Sequence, residues 1–498
     1  MTLAPVISSE TLNTLKRHPG VRDVAVARSE AAPILFVVPE DCYLDRVLGR
    51  HDAEQRRLQA WRKTYDLMQL GKDAKSAAAG FNIAGWRSSY TRQAIPDHEM
   101  REWVDASVGN ILSLAPRDVL EVGCGSGLLL FPVAPRCRRY VGIDFSSVSL
   151  QRIREQMQSR SGDWSGVELL EQSAEDLTGF PEQSFDTVII NSVAQYFPSL
   201  RYCTRVLKNV IRLIKPGGHL FIGDCRSLPL LPMYAASLEV HDSKPEDEES
   251  EFAHRVQRRM EREEELVLSQ AYFLSLANQV EGASVEVRPK RGTINNELTR
   301  YRFDVFFSVS GPADAQPVEW HEWYADKWTF AKLREQLLSE ESHVLALSGI
   351  PNSRLHIDLE ILATKGVIAQ FDNSRSQPEQ GELDPQAIWN LAAEARYNAR
   401  LSWNSSRRDG SFDAVFIPEK MASHPIKWPV PSAKDTVHFA NWPGQAGILK
   451  RLGEELGGLL SKESPRIVFV DSIPTYEDGT ADEEALLASV YQTGFRNR

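Results

Sequence analysis

The chain has 498 residues, 42% of them hydrophobic and 25% charged, with a formal net charge of −11. That length holds two or three domains and at least one large core, and the acid excess excludes a general nucleic-acid or anionic-membrane surface, which needs a basic face. Five scattered cysteines without a CxxC pair supply neither a disulfide framework nor a zinc site, and no run of about eighteen apolar residues occurs, so the chain reads as cytoplasmic, without metal or membrane.

Taken from the N-terminus, residues 1–50 predict a small α/β piece. A short helix near 9–16 meets HPGV at 18–21, a β-prone run to 27, and an apolar strand at 34–38 stopped by Pro39. Two short strands bury too little alone, so this piece needs a partner elsewhere. Residues 51–368 form the main domain, in which strand and helix signals alternate to about 310 as in a doubly wound sheet. Seven strands are expected, at 118–122, 140–144, 167–171, 185–190, 218–224, 284–289 and 301–309, the last two pairing antiparallel. The turn KPGG at 215–218 feeds the fifth. Residues 242–265 are densely charged and mixed in sign. They read either as a solvated helix laced by i,i+4 pairs or as a lid over a pocket. A polar linker occupies 369–381. The tail, 382–498, predicts a helix at 385–397, strands at 399–403 and 414–417, an amphipathic helix at 447–460 and a strand at 466–470. It is expected to complete the piece begun by residues 1–50.

The chemistry concentrates in DVLEVGCGSG at 118–127 and YVGID at 140–144. The first reads as a buried strand, a glycine turn and a helix start; the second as a strand ending in a carboxylate. Alternate glycines allow positive φ and close approach of a ligand to the backbone. An acid at the end of the second strand of such a unit grips ribose hydroxyls. A dinucleotide site would need a third glycine spaced for a pyrophosphate. This GxGxG preceded by Glu121 instead resembles the class I, Rossmann-like methyltransferases that use S-adenosylmethionine (SAM).

Longer runs narrow the resemblance. FNIAGWRSSYT at 81–91, NSVAQYFP at 191–198, GDCRSLPLL at 223–231 and NNELTRYR at 295–302 resemble the methyltransferase domains that interrupt an adenylation domain in nonribosomal peptide synthetases. The match runs from about 60 to 365. The flanks resemble the C-terminal subdomain of that host: HPGV at 18–21, LSW at 401–403 and the closing IPTYEDGTAD at 473–482. Thr480 stands where that family carries its catalytic lysine, and neither the large adenylation core nor a carrier-protein serine motif is recognised. The resemblance therefore implies a freestanding methyltransferase of peptide natural-product biosynthesis, inserted in a degenerate adenylation remnant without adenylation activity. Its substrate would be a small-molecule or carrier-bound amino acid, and a synthetase or carrier protein its partner.

The same resemblance implies roles for individual residues. Gly123, Gly125 and Gly127, with Glu121 below them, would hold the methionine part of SAM, and Tyr90 would bond its carboxylate. Asp144 would accept from the ribose hydroxyls, with Phe145 against the adenine. Ser173, Ala174 or Glu175 would meet the adenine edge, with Asn191 and Ser192 at the end of the fourth strand. Trp86 either covers the cofactor or simply packs. Gln195, Asp224, Arg226 and Asn296 would line the acceptor pocket, Glu297 would serve as base, and Tyr196 or Tyr301 would orient the amine. N-methylation is the expected reaction; O-methylation of a free small molecule and a non-catalytic docking role are the alternatives.

Overall fold

Strands buried on both faces need helices above and below them, and the centre of this chain meets that demand. In the computed structural model the described residues are 7–28, 33–48, 51–71, 81–244, 251–309, 318–339, 343–365, 383–421, 426–431, 438–460, 465–470, 473–476 and 478–487. In chain order the strands are β1 (Val21–Arg28), β2 (Pro33–Pro39), β3 (Asp118–Val122), β4 (Arg139–Asp144), β5 (Val167–Glu171), β6 (Phe185–Asn191) and β7 (Ile214–Arg226). They continue with β8 (Ser284–Pro289), β9 (Arg302–Ser308), β10 (Trp320–Glu322), β11 (Leu345–Ile350), β12 (Tyr397–Ser402), β13 (Phe412–Pro418) and β14 (Arg466–Phe469). They form three sheets.

The largest is seven-stranded, in the order β5-β4-β3-β6-β7-β9-β8. The first five strands in this order run parallel, and β9 is antiparallel to both β7 and β8. This is the class I methyltransferase sheet. Alternation sends Leu120, Val141, Val188 and Leu220 to one face and Val119, Tyr140, Ile189 and Phe221 to the other. The helix Leu200–Leu213 covers the first face with Cys203, Val206, Leu207 and Val210, and Ser199 caps it by accepting from Tyr202 N at 3.1 Å. The order of strands reverses between β3 and β6, so the crevice at their C-terminal ends is the expected ligand site.

A four-stranded sheet, β10-β11-β13-β12, abuts the edge strand β8. Trp403 N donates to Val287 O at 2.7 Å and Val287 N to Asn404 Oδ1 at 2.8 Å. This corrects one expectation. Residues 397–418 do not complete the N-terminal piece; they pair with β11 from the main domain. The reason is burial: β13 is buried at every position, and only the main core, with Leu347 and Leu401, together with Trp428 on the other face, supplies cover.

The third sheet, β1-β2-β14, joins the two ends of the chain. β14 runs parallel to β2, Arg466 opposite Ile34 and Phe469 opposite Val37. Leu35 and Val37 pack on Leu15 and on Ile448, Leu452 and Leu456 of the helix Gln445–Leu459, while Ile34 and Phe36 pack on Val468 and Leu486.

Candidate active site

A cavity of about 1090 Å³ opens over the C-terminal ends of β3, β4 and β6, just above the ~300–1,000 Å³ range of ligand sites. Its floor is the turn after β3. Gly123 and Gly125 take φ of +77° and +54°, and a Cβ would fall 2.4 Å from Val193 Cγ2 in the first case and 2.8 Å from the Tyr65 hydroxyl in the second. Both line the cavity; Gly127 does not, and packs on Phe131 and Ile153 instead.

Asp144 ends β4 beside this loop. Its Oδ2 accepts from Gly125 N at 2.9 Å and its Oδ1 from Ser146 N at 2.8 Å. Burial pushes its carboxyl up to about 6 against the pull of those two amides. Glu121 accepts from the Tyr140 hydroxyl at 2.7 Å, and burial carries it up to about 8. Phe145, Ser173, Ala174, Asn191 and Ser192 also line the cavity. A backbone cradle that any side chain would fill, beside a carboxylate with lone pairs left over, fits SAM: Gly123 and Gly125 would admit its methionine part and Asp144 would take its hydroxyls. Glu175 is turned away, accepting from Arg205 Nη2 at 3.1 Å, because that guanidinium is itself drawn to the buried Glu54 at 2.6 Å.

Over the cradle lies the helix His51–Leu70, which sequence reasoning did not place at the site. Trp61 and Tyr65, one turn apart, face inward: the Trp61 ring sits 4.7 Å from Tyr196 and the Tyr65 ring 6.4 Å from Phe145. Asp66 accepts from the Ser146 hydroxyl. The only sequence signal was an i,i+4 aromatic pair on a polar helix, which has no motif.

The other end of the cavity is ionic. Glu297 opens the short helix Glu297–Arg300, its carboxylate oxygens accepting from Ser89 N at 3.1 and 3.0 Å and Oε1 also from Ser89 Oγ at 3.3 Å. Burial raises its pKa, against the opposing charges of Arg302 and Arg226. Gln195, Tyr196, Tyr234, Arg226 and Arg302 share this wall. Arg226 is held by Glu263 at 2.7 Å and Glu265 at 2.8 Å. Trp86 lines the wall too, its ring 4.7 Å from that of Trp103. Of the charged segment, residues 245–250 lie outside the described residues; Phe252–Glu261 is a helix, with Phe252 and Val256 buried and Arg255, Arg258 and Arg259 on the cavity wall.

Four further residues expected at the site stand behind the wall. Asp224 is fully buried, with φ +64°, and accepts from Trp103 Nε1 at 3.0 Å, from Ser192 Oγ at 2.7 Å and from Arg302; it positions wall residues without lining the cavity. Asn296 caps the Glu297–Arg300 helix, accepting from Leu298 N at 2.9 Å and Thr299 N at 3.3 Å, and its amide donates to Glu99. Tyr301 donates to Asp358 Oδ2 at 2.7 Å. The Tyr90 hydroxyl meets Ser237 Oγ at 2.8 Å and accepts from Arg300. Both tyrosines are thereby committed to a polar network behind Glu297.

With that geometry in place, known proteins resemble the chain in the following ways. A family profile described as a methyltransferase domain matches residues 120–220. The chain is similar to chondramide synthase of Chondromyces crocatus, 34% identical over 96% of this chain and 13% of the relative. It is also similar to a probable non-canonical nonribosomal peptide synthetase of Salinispora arenicola, 31% identical over 86% of this chain and 5% of the relative. It thus spans a small fraction of the curated relatives it matches. Among solved structures, the N-methyltransferase NodS of Bradyrhizobium japonicum with S-adenosyl-L-homocysteine aligns at 14% identity and a TM-score of 0.32, over 50% of this chain and 98% of that one.

Proposed function

Because the chain carries a SAM-dependent methyltransferase domain of the kind built into nonribosomal peptide synthetases, we propose that it methylates the nitrogen of an amino acid, an aminoacyl-carrier or a small peptide-derived substrate. The observation that carries this reading is Glu297: a buried carboxylate of raised pKa on the wall of the cavity that also contains the glycine cradle and Asp144. SAM, when bound, supplies a methyl group already activated on a sulfonium. The residues of the chain then have two tasks, alignment and proton removal.

An amine attacks only when its lone pair is free. Ser89 fixes the Glu297 carboxylate with its amide N–H and hydroxyl, so a substrate N–H directed at that carboxylate leaves the lone pair turned elsewhere. The raised pKa brings Glu297 nearer to that of the proton it receives. Tyr196 and Tyr234 give this end of the cavity aromatic walls that exclude water, and Gln195 and Arg226 are placed to hold polar parts of the substrate. Cofactor-side roles fall to Gly123, Gly125, Asp144, Phe145, Ser173 and Ala174.

Incubation with methyl-labelled SAM and candidate amino acids, free and carrier-bound, followed by mass spectrometry, tests the reading. It expects a methyl group on nitrogen. A methyl ester or ether, or failure to bind SAM by calorimetry, would replace it with O-methylation or a docking role. Amino-acid activation is not expected, because Thr480 brings no ammonium to the closing motif, and amino-acid-dependent ATP–pyrophosphate exchange by the chain would overturn that.

A further inference from the structure

Among the described residues, two guanidinium groups at the cavity rim are without a partner. Arg258 and Arg262 stand one turn apart at the C-terminal end of the Phe252–Glu261 helix and share one face of it. Both line the cavity and both are exposed, which places them where it meets solvent. Among the described residues neither makes a side-chain hydrogen bond or an ion pair. Their neighbours differ: Arg226 is clamped between Glu263 and Glu265, and Arg259 is held by Glu239 at 2.6 Å. The acids next to Arg262 in sequence are engaged elsewhere: Glu261 accepts from Gln257 Nε2 at 3.2 Å, Glu263 holds Arg226 at 2.7 Å and Glu264 is engaged by Arg57 at 3.2 Å. The helix carbonyls favour cations here but use none of their fork donors.

Two unengaged forks of like charge, a turn apart on a wet rim, suit an anion with several oxygens. A carboxylate fills one fork; a phosphate ester presents non-bridging oxygens to both. We propose that Arg258 and Arg262 form a phosphate-ester subsite at the rim, so that the methyl acceptor enters on a phosphate-bearing arm while its amine reaches Glu297. This rests on the reading of the cavity as an amine methylation site. The phosphate could belong to an arm tethered to a carrier protein or to a free phosphorylated thioester, and the two are separable.

The first test needs no turnover. Binding of 4′-phosphopantetheine and of pantetheine to the full chain is compared by calorimetry with S-adenosylhomocysteine present. The wild type should prefer the phosphorylated probe by about tenfold or more, and R258A/R262A should lose that preference while binding pantetheine and S-adenosylhomocysteine as before. A wild type indifferent to the phosphate, or a double variant that keeps the preference, overturns the subsite. The second test uses turnover, with an aminoacyl thioester on a carrier protein or on free phosphopantetheine. A rise in KM of about tenfold in R258A/R262A with kcat unchanged supports the subsite, and the form showing the lower wild-type KM identifies the source. An unchanged KM on both overturns it. If neither thioester is methylated, the N-methylation reading fails, and the binding comparison still decides the subsite.

Discussion

Asp144 and Glu297 are two buried carboxylates on one cavity with different tasks. Asp144 spends one lone pair on each of two backbone amides and keeps others for a ligand. Asp144→Ala should weaken SAM binding by about tenfold or more, since hydrogen bonds to a charged group contribute ~1.5–3 kcal/mol; wild-type affinity by calorimetry would remove it from the site. Its pKa of about 6 also sets a pH dependence. Because the folded value lies above the ordinary carboxylate value of 3.8, its contribution to stability is fully present below that value and lost as pH rises through about 6. Ligand hydroxyls bind the ionised form, so SAM should raise Tm more at pH 7 than at pH 5 in a thermal-shift series. Glu297→Gln should leave SAM affinity intact and lower kcat by roughly 10²–10⁴, the range of general-base catalysis. The acid limb of wild-type kcat/KM should lie above the usual carboxylate range, and a limb at the ordinary value would assign the base elsewhere. Asp144 was legible because it sits at a fixed distance behind a glycine loop. The directions of Tyr90 and Tyr301 were not, because they are set by Ser237 and Asp358, remote in sequence.

At the scale of elements, the strands of the large sheet were legible from their apolar runs, and the glycine turn located the crevice. Which sheet β12 and β13 join was not, because partner choice depends on cores that local sequence does not contain. The cavity-side role of the helix His51–Leu70 was hidden for the same reason: its inward face is defined only by what lies beneath it. Tyr65→Ala should leave the large sheet folded, since this helix touches the cavity through partly exposed side chains, and should speed SAM dissociation by about tenfold. An unchanged off-rate in stopped-flow binding would make the helix a bystander. A different kind of coupling joins β8 and β9 near the wall. Lys290 donates to Asp304 Oδ1 at 2.8 Å, both side chains being 1% exposed, and Asp304 also accepts from Asp224 N and Asn110. Lys290→Met would leave that carboxylate buried without its cation, which costs ~3–5 kcal/mol. The unfolding midpoint in urea should fall accordingly. Asp304→Asn together with Lys290→Met should recover part of the loss.

At the scale of the whole molecule, the chain is two bodies of unequal burial joined by polar contacts. The seven- and four-stranded sheets share one continuous core. The sheet β1-β2-β14 has two small cores of its own, and three short strands with three helices bury little. The link between them runs through hydrogen bonds such as Gly444 N to Glu263 O at 2.7 Å. Bodies joined this way unfold separately. Calorimetry should therefore show the small sheet melting below the methyltransferase. Val468, 1% exposed between Phe36 and Leu486, is the residue on which to test it. Val468→Asp places an unpaired charge in that core and should abolish the lower transition while leaving the upper one in place. Because the cavity draws its walls from the large body and the His51–Leu70 helix, SAM affinity should stay within about threefold. Loss of both transitions together would mean that the two ends of the chain brace the methyltransferase itself. Loss of SAM affinity with the upper transition intact would mean instead that the small sheet acts on the cavity through the helix that leaves it.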